Sequence, residues 1–436
     1  MKFLLDRLFH LPRIRFVRNF ATLSLGQGIA TAIPLLAAPI LGRLYLPADY
    51  GVLGSYMALG VVLGTLSNLQ YYKGIIVDKH EEDAAATLSL ALRVAFGTSL
   101  LVLLVVALAY LFMPGGWAID ALWPWLWLLP VTVLVSGNGS TLQAFANREN
   151  RYRFMSRYQI VNVIITVSAS ILFGFLKWGS TGLMVAYFMG QFGAFAYLVN
   201  GNRAALRTAR ATTPEQRRAA AHRHRKFAIW STPTSVVEQA AMMAPVYVLG
   251  LQAGMLALVG HFNRARSLLA MPVQLFAQAT GQVFFRRGAE EIGHYGSCSH
   301  LFVRLAIGLT AISVPLFSFL YLIAPTLFVF VLGPNWHETG EVARILAPVI
   351  GLQFITMPLT KILWLHGYQR LDFWMSLFFA ATTAGATALS IWLHAEPIGA
   401  IIAYAVAQGA MYLTFLGTAF LIAYRHRRTS RESAAT

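Results

Sequence analysis
The chain has 436 residues, of which 57% are hydrophobic and 12% charged, with a formal net charge of +17 and a mean hydropathy of +0.60. A soluble domain carries about a quarter charged residues, so this composition excludes a soluble enzyme and reads as an all-α, polytopic membrane protein. The cationic excess would suit a nucleic-acid binder, but its distribution along the chain argues against one.

Residues 1–18 mix Phe and Leu with Asp6, Arg7, Arg13, Arg15 and Arg18. The segment lacks an unbroken apolar core and a small-residue cleavage site, so a cytoplasmic, interfacial amphipathic helix is expected there and not a signal peptide. Apolar runs follow at 19–42, 50–72, 87–113, 121–145, 157–176 and 179–199. A second set lies at 227–252, 254–285, 301–333, 341–366, 371–393 and 397–424. Each approaches or exceeds the roughly 20 residues of a spanning helix, which makes about twelve spans.

Between the sets, 200–226 is a basic stretch, read as a solvated cytoplasmic linker, and 425–436 is a basic tail. Lys and Arg crowd alternate connections: Lys2 to Arg18, Lys73 and Lys79, Arg148 to Arg157, Arg203 to Lys226, Arg286 and Arg287, Arg370, and Arg425 to Arg431. The intervening connections are nearly bare of them. This is the positive-inside pattern. It predicts an even number of spans with both termini cytoplasmic, and assigns the charge to anionic membrane lipids rather than nucleic acid.

The two sets look duplicated. Gly182, Ala186, Tyr187 and Gln191 recur with the same spacing at Gly399, Ala403, Tyr404 and Gln408. Leu92-Arg93-Val94-Ala95-Phe96-Gly97 has its counterpart in Val303-Arg304-Leu305-Ala306-Ile307-Gly308, and Leu41-Gly42 with Gly51 in Leu249-Gly250 with Gly254. Such matches are easily made in apolar sequence, but these keep their order and nearly their offset. They predict two pseudo-symmetric six-helix bundles, 19–199 and 227–424, around a central site. Pro34 and Pro39 in the first span, Pro245 in the seventh and Pro272 in the eighth are expected to bend or interrupt their helices.

The eighth run carries the most chemistry. Asn263, Ser267, Ala270, Gln274, Gln278 and Gly281 fall on one helical stripe, with Arg264 and Arg266 on either side of it. An arginine inside an apolar segment costs roughly 2.5–3.5 kcal/mol even by lenient scales, so the pair is expected to face water, an anion or an acidic partner. Guanidinium groups grip phosphate oxygens in pairs, which makes a pyrophosphate a natural ligand. In the seventh run, Ser231, Ser235, Glu238 and Met242 share a face. Glu238 reads either as a proton or sodium relay or as the ion-pair partner of Arg264 or Arg266. Gln27, with Ser24 and Thr31, reads as a cavity wall in the first span. Lys361 lies nearer the cytoplasmic end of its run and is expected to snorkel. No Walker A sequence, zinc-protease motif or paired cysteines occur, and the one cysteine, Cys298, excludes an intrachain disulfide. No catalytic residue, metal site or cofactor is expected.

The stretches from Ile40 to Gly51, from Phe262 to Pro272 and on to Arg286, and from Leu332 to Trp336 with Ala347-Pro348 resemble the Wzx-type oligosaccharide flippases of the multidrug/oligosaccharidyl-lipid/polysaccharide (MOP) superfamily. The resemblance covers essentially the whole chain and implies a MATE-like fold. It also implies transport of a lipid-linked oligosaccharide between leaflets, with a polysaccharide polymerase and glycosyltransferases as further partners. Relatives often carry an acidic residue where this chain has Lys73 after Tyr71-Tyr72. Three rivals remain, a cation-coupled multidrug exporter of the same superfamily, a membrane-embedded glycan polymerase or acyltransferase, and a structural scaffold for a glycan-synthesis complex. Short outer loops weigh against the enzyme.

Overall fold
The computed structural model describes residues 12–112, 121–250, 252, 254–295, 297–393 and 396–435. Residues 1–11, and the expected outer loop at 113–120 with Trp117, lie outside them. Among the described residues all regular structure is helical, and nine helices are long and apolar enough to cross a membrane. The protein is an all-α polytopic membrane protein. Three of the apolar runs fall outside those nine for identifiable reasons. The run 121–145 is divided between a short 3-10 turn, Trp123–Leu128, and a helix enriched in Gly, Ser and Asn. The run 227–252 breaks at Met243, just before Pro245. The run 254–285 contains the arginines.

The residues cluster in two compact units, Met1–Tyr45 with Ser55–Gln239, and Leu46–Gly54 with Ala240–Thr436. The first holds α1 (Pro12–Leu44), most of α2 (Pro47–Leu66), α3 (Tyr72–Val77), α4 (Glu81–Phe112), α5 (Leu129–Arg148), α6 (Tyr152–Phe175) and α7 (Gly179–Gly201). It continues through α8 (Arg203–Arg210) and α9 (Pro214–Arg223) into α10 (Thr232–Met242). Helix α1 is continuous from Pro12 through Pro34 and Pro39, so no separate N-terminal helix ends at residue 18. It packs on α6, where Gly26 leaves room for Ser156.

Helix α2 stops at Leu66, short of the expected 72. The Asn68 side chain takes over from the helical ladder there: its Nδ2 lies within hydrogen-bond distance of Gly137 O (3.0 Å), Ser140 Oγ (2.9 Å) and Thr141 Oγ1 (3.1 Å) on α5. Its Oδ1 accepts from Gln70 N. The turn needs left-handed backbone at Leu69 (φ 46) and Gln70 (φ 57), a conformation that side chains other than Asn and Asp rarely adopt.

The linker expected at 200–226 is largely exposed, as a solvated segment would be, but it is helical. Helices α8 and α9 dock on α4, burying Ala205, Ala209 and Ala220. Thr213 and Gln216 start α9 with a reciprocal capping box.

The second unit holds α11 (Ala244–Gly250), α12 (Leu256–Tyr295), α13 (Ser299–Leu332), α14 (His337–Leu359), α15 (Lys361–Leu365), α16 (Gln369–Trp392) and α17 (Pro397–Ala435). Helix α12 runs unbroken through Pro272, and α17 continues through the basic tail. Helix α14 is the core of this unit, packed on α12, α13 and α17. The span around it is 67% buried, against 17% for α13. Its buried Gly340, Ala343, Ala347 and Gly351 form a face of small residues on which Pro325 and Phe317 of α13 sit, the usual device for close helix packing in membranes.

Candidate functional site
Three stretches far apart in sequence meet in the second unit, around Tyr50, Arg264 and Trp336. The first turns of α2 and α12 cross at a separation that glycine alone permits. A Cβ on Gly51 would lie 1.8 Å from Leu256 O, one on Gly260 1.8 Å from Pro47 O, and one on Gly54 2.0 Å from the Asn263 amide nitrogen. This crossing sets Tyr50 under Arg264, whose guanidinium carbon is 4.8 Å from the ring centroid. Tyr50 meets Trp336 edge-on at 5.5 Å, and the buried Trp336 meets His261 edge-on at 6.2 Å. His261 is fixed from both ring nitrogens: Nδ1 lies 2.7 Å from Thr339 Oγ1 and Nε2 lies 3.1 Å from Glu338 Oε2. The result is a rigid floor under one cation.

That cation is poorly supplied with acceptors. Arg264 Nε and Nη2, and the neighbouring Asn263 Nδ2, are buried without a hydrogen-bond partner among the described residues. An unsatisfied buried donor costs about 1–3 kcal/mol, more when charged, while the ring face under Arg264 returns only roughly 0.5–2 kcal/mol. The arrangement can accept an oxyanion.

Arg266 has different surroundings. It is half-buried, and its Nη1 donates to Met243 Sδ at 3.6 Å, at the break between α10 and α11. The side chains of Gln274 and Gln278 lie outside the described ones. In the first unit, Gln27 is half-buried on α1 and its carbonyl accepts from Thr31 Oγ1 at 2.9 Å. Glu238 lies within electrostatic reach of Lys73: burial pushes the Lys73 ammonium below its usual range and the Glu238 carboxylate draws it back up. Lys361 stands over the Trp364 ring at 4.0 Å.

Sequence reasoning missed Tyr50, His261 and Trp336 as site residues, although each lay in or beside a stretch that carried the family resemblance. Their signal was the glycine spacing at 51, 54 and 260. It also missed a second polar cluster, in the first unit, which has no local signal. Asp78, with a side chain 2% exposed, accepts from Arg223 Nη1 at 3.0 Å and Thr87 Oγ1 at 2.6 Å, and lies 2.9 Å from His224 Nε2. Arg223 also reaches Asp83 at 2.7 Å. Arg148 donates to the carbonyls of Ile75 and Asp78 at the end of α3. Burial pushes the Asp78 carboxyl up, but the bonds from Thr87, His224 and Arg223 outweigh it and hold the group below the usual carboxylate range. This cluster pins the linker. Among the described residues no group of three or more His, Cys, Asp or Glu is arranged to hold a metal ion.

A family model described as "Polysaccharide biosynthesis protein" matches residues 40–341. No curated protein sequence matches significantly. Among solved structures, a lipid II flippase, MurJ, in an inward closed conformation is similar over 94% of this chain and 91% of its own, with a TM-score of 0.70 at 14% identity. An inward-facing multidrug resistance MATE transporter of the MOP superfamily is similar over 92% and 96%, with a TM-score of 0.68 at 13% identity. A MOP superfamily transporter from Pyrococcus furiosus is similar over 96% and 97%, with a TM-score of 0.60 at 14% identity. At these identities the structural likeness establishes the fold, which is the MATE/MurJ-like one.

Proposed function
The chain belongs to the polysaccharide biosynthesis protein family, and we propose that it is a flippase that moves a polyprenyl-pyrophosphate-linked oligosaccharide from the inner to the outer leaflet of the bacterial cytoplasmic membrane. The physical task is the hydroxyl-rich glycan. Each hydroxyl taken into hydrocarbon without a partner costs about 4–8 kcal/mol, so the glycan needs a polar path while its polyprenyl tail stays in lipid. The observation that carries this reading is the set of buried donors on Arg264 and Asn263 with no acceptor among the described residues. A pyrophosphate offers the oxygens they need, in the paired geometry that a guanidinium prefers.

In this reading Arg264 and Arg266 hold the pyrophosphate. Asn263, Gln274, Gln278 and Gln27 offer hydrogen bonds to sugar, and Glu238, with Lys73 nearby, couples alternating access to a proton or sodium ion. The protein is then a transporter rather than an enzyme, with both termini cytoplasmic. It receives its cargo from glycosyltransferases and delivers it to a polymerase that builds an O-antigen, capsule or exopolysaccharide.

The test is complementation of a deletion strain with the Arg264→Ala/Arg266→Ala double variant. Glycan should fail to reach the cell surface while the protein accumulates normally; wild-type export by that variant would end the proposal. The likeness to a multidrug transporter supports a second reading, export of apolar cations. Arg264 and Arg266 would repel such cargo, and unchanged drug sensitivity of the deletion strain separates the two.

A further inference from the structure
The first unit contains a pocket of about 340 Å³ between α4, α5, α7 and α8, within the size range of small-ligand sites. Its walls are apolar: Leu92, Leu142, Phe195 and Leu206 line it. Two cations, Arg93 and Arg210, and two polar side chains, Ser89 and Asn138, interrupt that lining. Arg93 of α4 and Arg210 of α8 stand exposed on it, and neither has an ion-pair partner among the described residues. Asn138 Oδ1 is buried at the pocket without a hydrogen-bond donor among the described residues. Arg93 follows the acidic helical start at Glu81 by ~18 Å of α4 and is flanked by Leu92 and Val94, so it lies within the first turns of the apolar run, within a long side chain's reach of the headgroup level. Helix α8 belongs to the basic connection that the charge pattern places on the cytoplasmic side.

We propose that this pocket is a binding site for one anionic phospholipid of the cytoplasmic leaflet, with phosphatidylglycerol the headgroup that fits best. The phosphate lies between Arg93 and Arg210, one acyl chain covers Leu92, Leu142, Phe195 and Leu206, and a glycerol hydroxyl donates to Asn138 Oδ1. Charge complementarity selects an anion, and basic pockets between membrane helices on the cytoplasmic side are established headgroup sites. The apolar walls select an amphiphile over a free anion. The orphan acceptor selects a headgroup that carries a donor. A bland alternative, that both arginines merely snorkel to bulk headgroups, leaves Asn138 Oδ1 without a donor.

The full-length protein, purified in neutral detergent, tests this by native mass spectrometry and thermal unfolding with added phosphatidylglycerol, phosphatidylcholine or inorganic phosphate. The wild type should retain one phosphatidylglycerol and be stabilised by it, and by neither of the others. The Arg93→Gln/Arg210→Gln variant should lose on the order of tenfold or more in that affinity. Arg203→Gln/Arg207→Gln removes the same charge from α8 without touching the pocket and should bind as the wild type does. Leu206→Trp fills the pocket at unchanged charge and should also expel the lipid, which keeps the test decisive if the first variant does not fold. Equal losses in both double variants, equal retention of phosphatidylcholine, stabilisation by phosphate alone, or unaltered binding by Leu206→Trp would each overturn the proposal.

Discussion
Asp78 and Arg264 both place charge out of water, and they meet the cost in opposite ways. Around Asp78 both carboxylate oxygens are matched with Thr87, Arg223 and His224, and Arg148 closes the neighbouring carbonyls. At Arg264 the described residues supply a ring face and no acceptor for two nitrogens. A saturated buried charge fastens one part of a fold to another. An unsaturated one on a rigid floor is kept for something that arrives. The difference separates a structural ion cluster from a binding site more surely than charge or burial alone.

The sharpest way to break this distinction is to remove each charge and measure stability and export separately. Asp78→Ala strands His224, Thr87 and Arg223 and should cost on the order of 3 kcal/mol. Chemical denaturation should read that loss, and limited proteolysis should show new cleavage within 200–226. Export should fall only as far as the amount of folded protein falls. Arg264→Met should do the reverse, abolishing export while stability stays within about 1 kcal/mol, because the lost ring contact offsets the relieved donors. A large stability loss at Arg264 would mean that it, too, is a structural ion.

A pH series sharpens the same contrast. The Asp78 carboxyl is held low in the folded protein, so its contribution is present above the unfolded pKa of about 3.9 and is lost as pH falls through the lower folded value. The stability gap between wild type and Asp78→Asn should narrow as pH falls below about 4. The groups facing Asp78 are Arg223, His224 and Thr87, with Asp83 reached through Arg223. A gap that opens as pH falls below about 4 would contradict the assignment. Thr87→Val removes one of the bonds and should cost about 1 kcal/mol, read in the same denaturation assay.

The smallest effect concerns Cys298, which is buried and whose thiol burial pushes up to about 11. Maleimide labelling at pH 7 should be slow in the folded protein and fast after denaturation. Rapid labelling of the native protein would place that thiol in solvent.

Most of the fold was legible because length and hydropathy report a spanning helix directly. The exceptions follow from side chains that compete with the helix or dock it at long range. Asn68 ends α2 by bonding to α5, and nothing in its immediate sequence requires that. The linker looked solvated because it is rich in Ala and Arg. Its docking rests on small alanine faces and on a bond between residues 145 positions apart, Arg223 and Asp78. At the candidate site the arginines stood out as costly charges in an apolar run. Tyr50 and Trp336 did not, since single aromatic residues are common in membrane helices, and only the glycine-permitted crossing of α2 and α12 reveals why they matter.

The docked linker has a practical consequence for anyone wishing to splice a fluorescent reporter or an affinity handle into the chain. A long polar connection between halves invites insertion anywhere along it, yet its last residues act as an anchor. Cargo inserted at 222–225 would pull Arg223 and His224 from Asp78, whereas the turn at Ala211-Thr212, between the end of α8 and the cap of α9, offers a seam where added sequence leaves both helices seated.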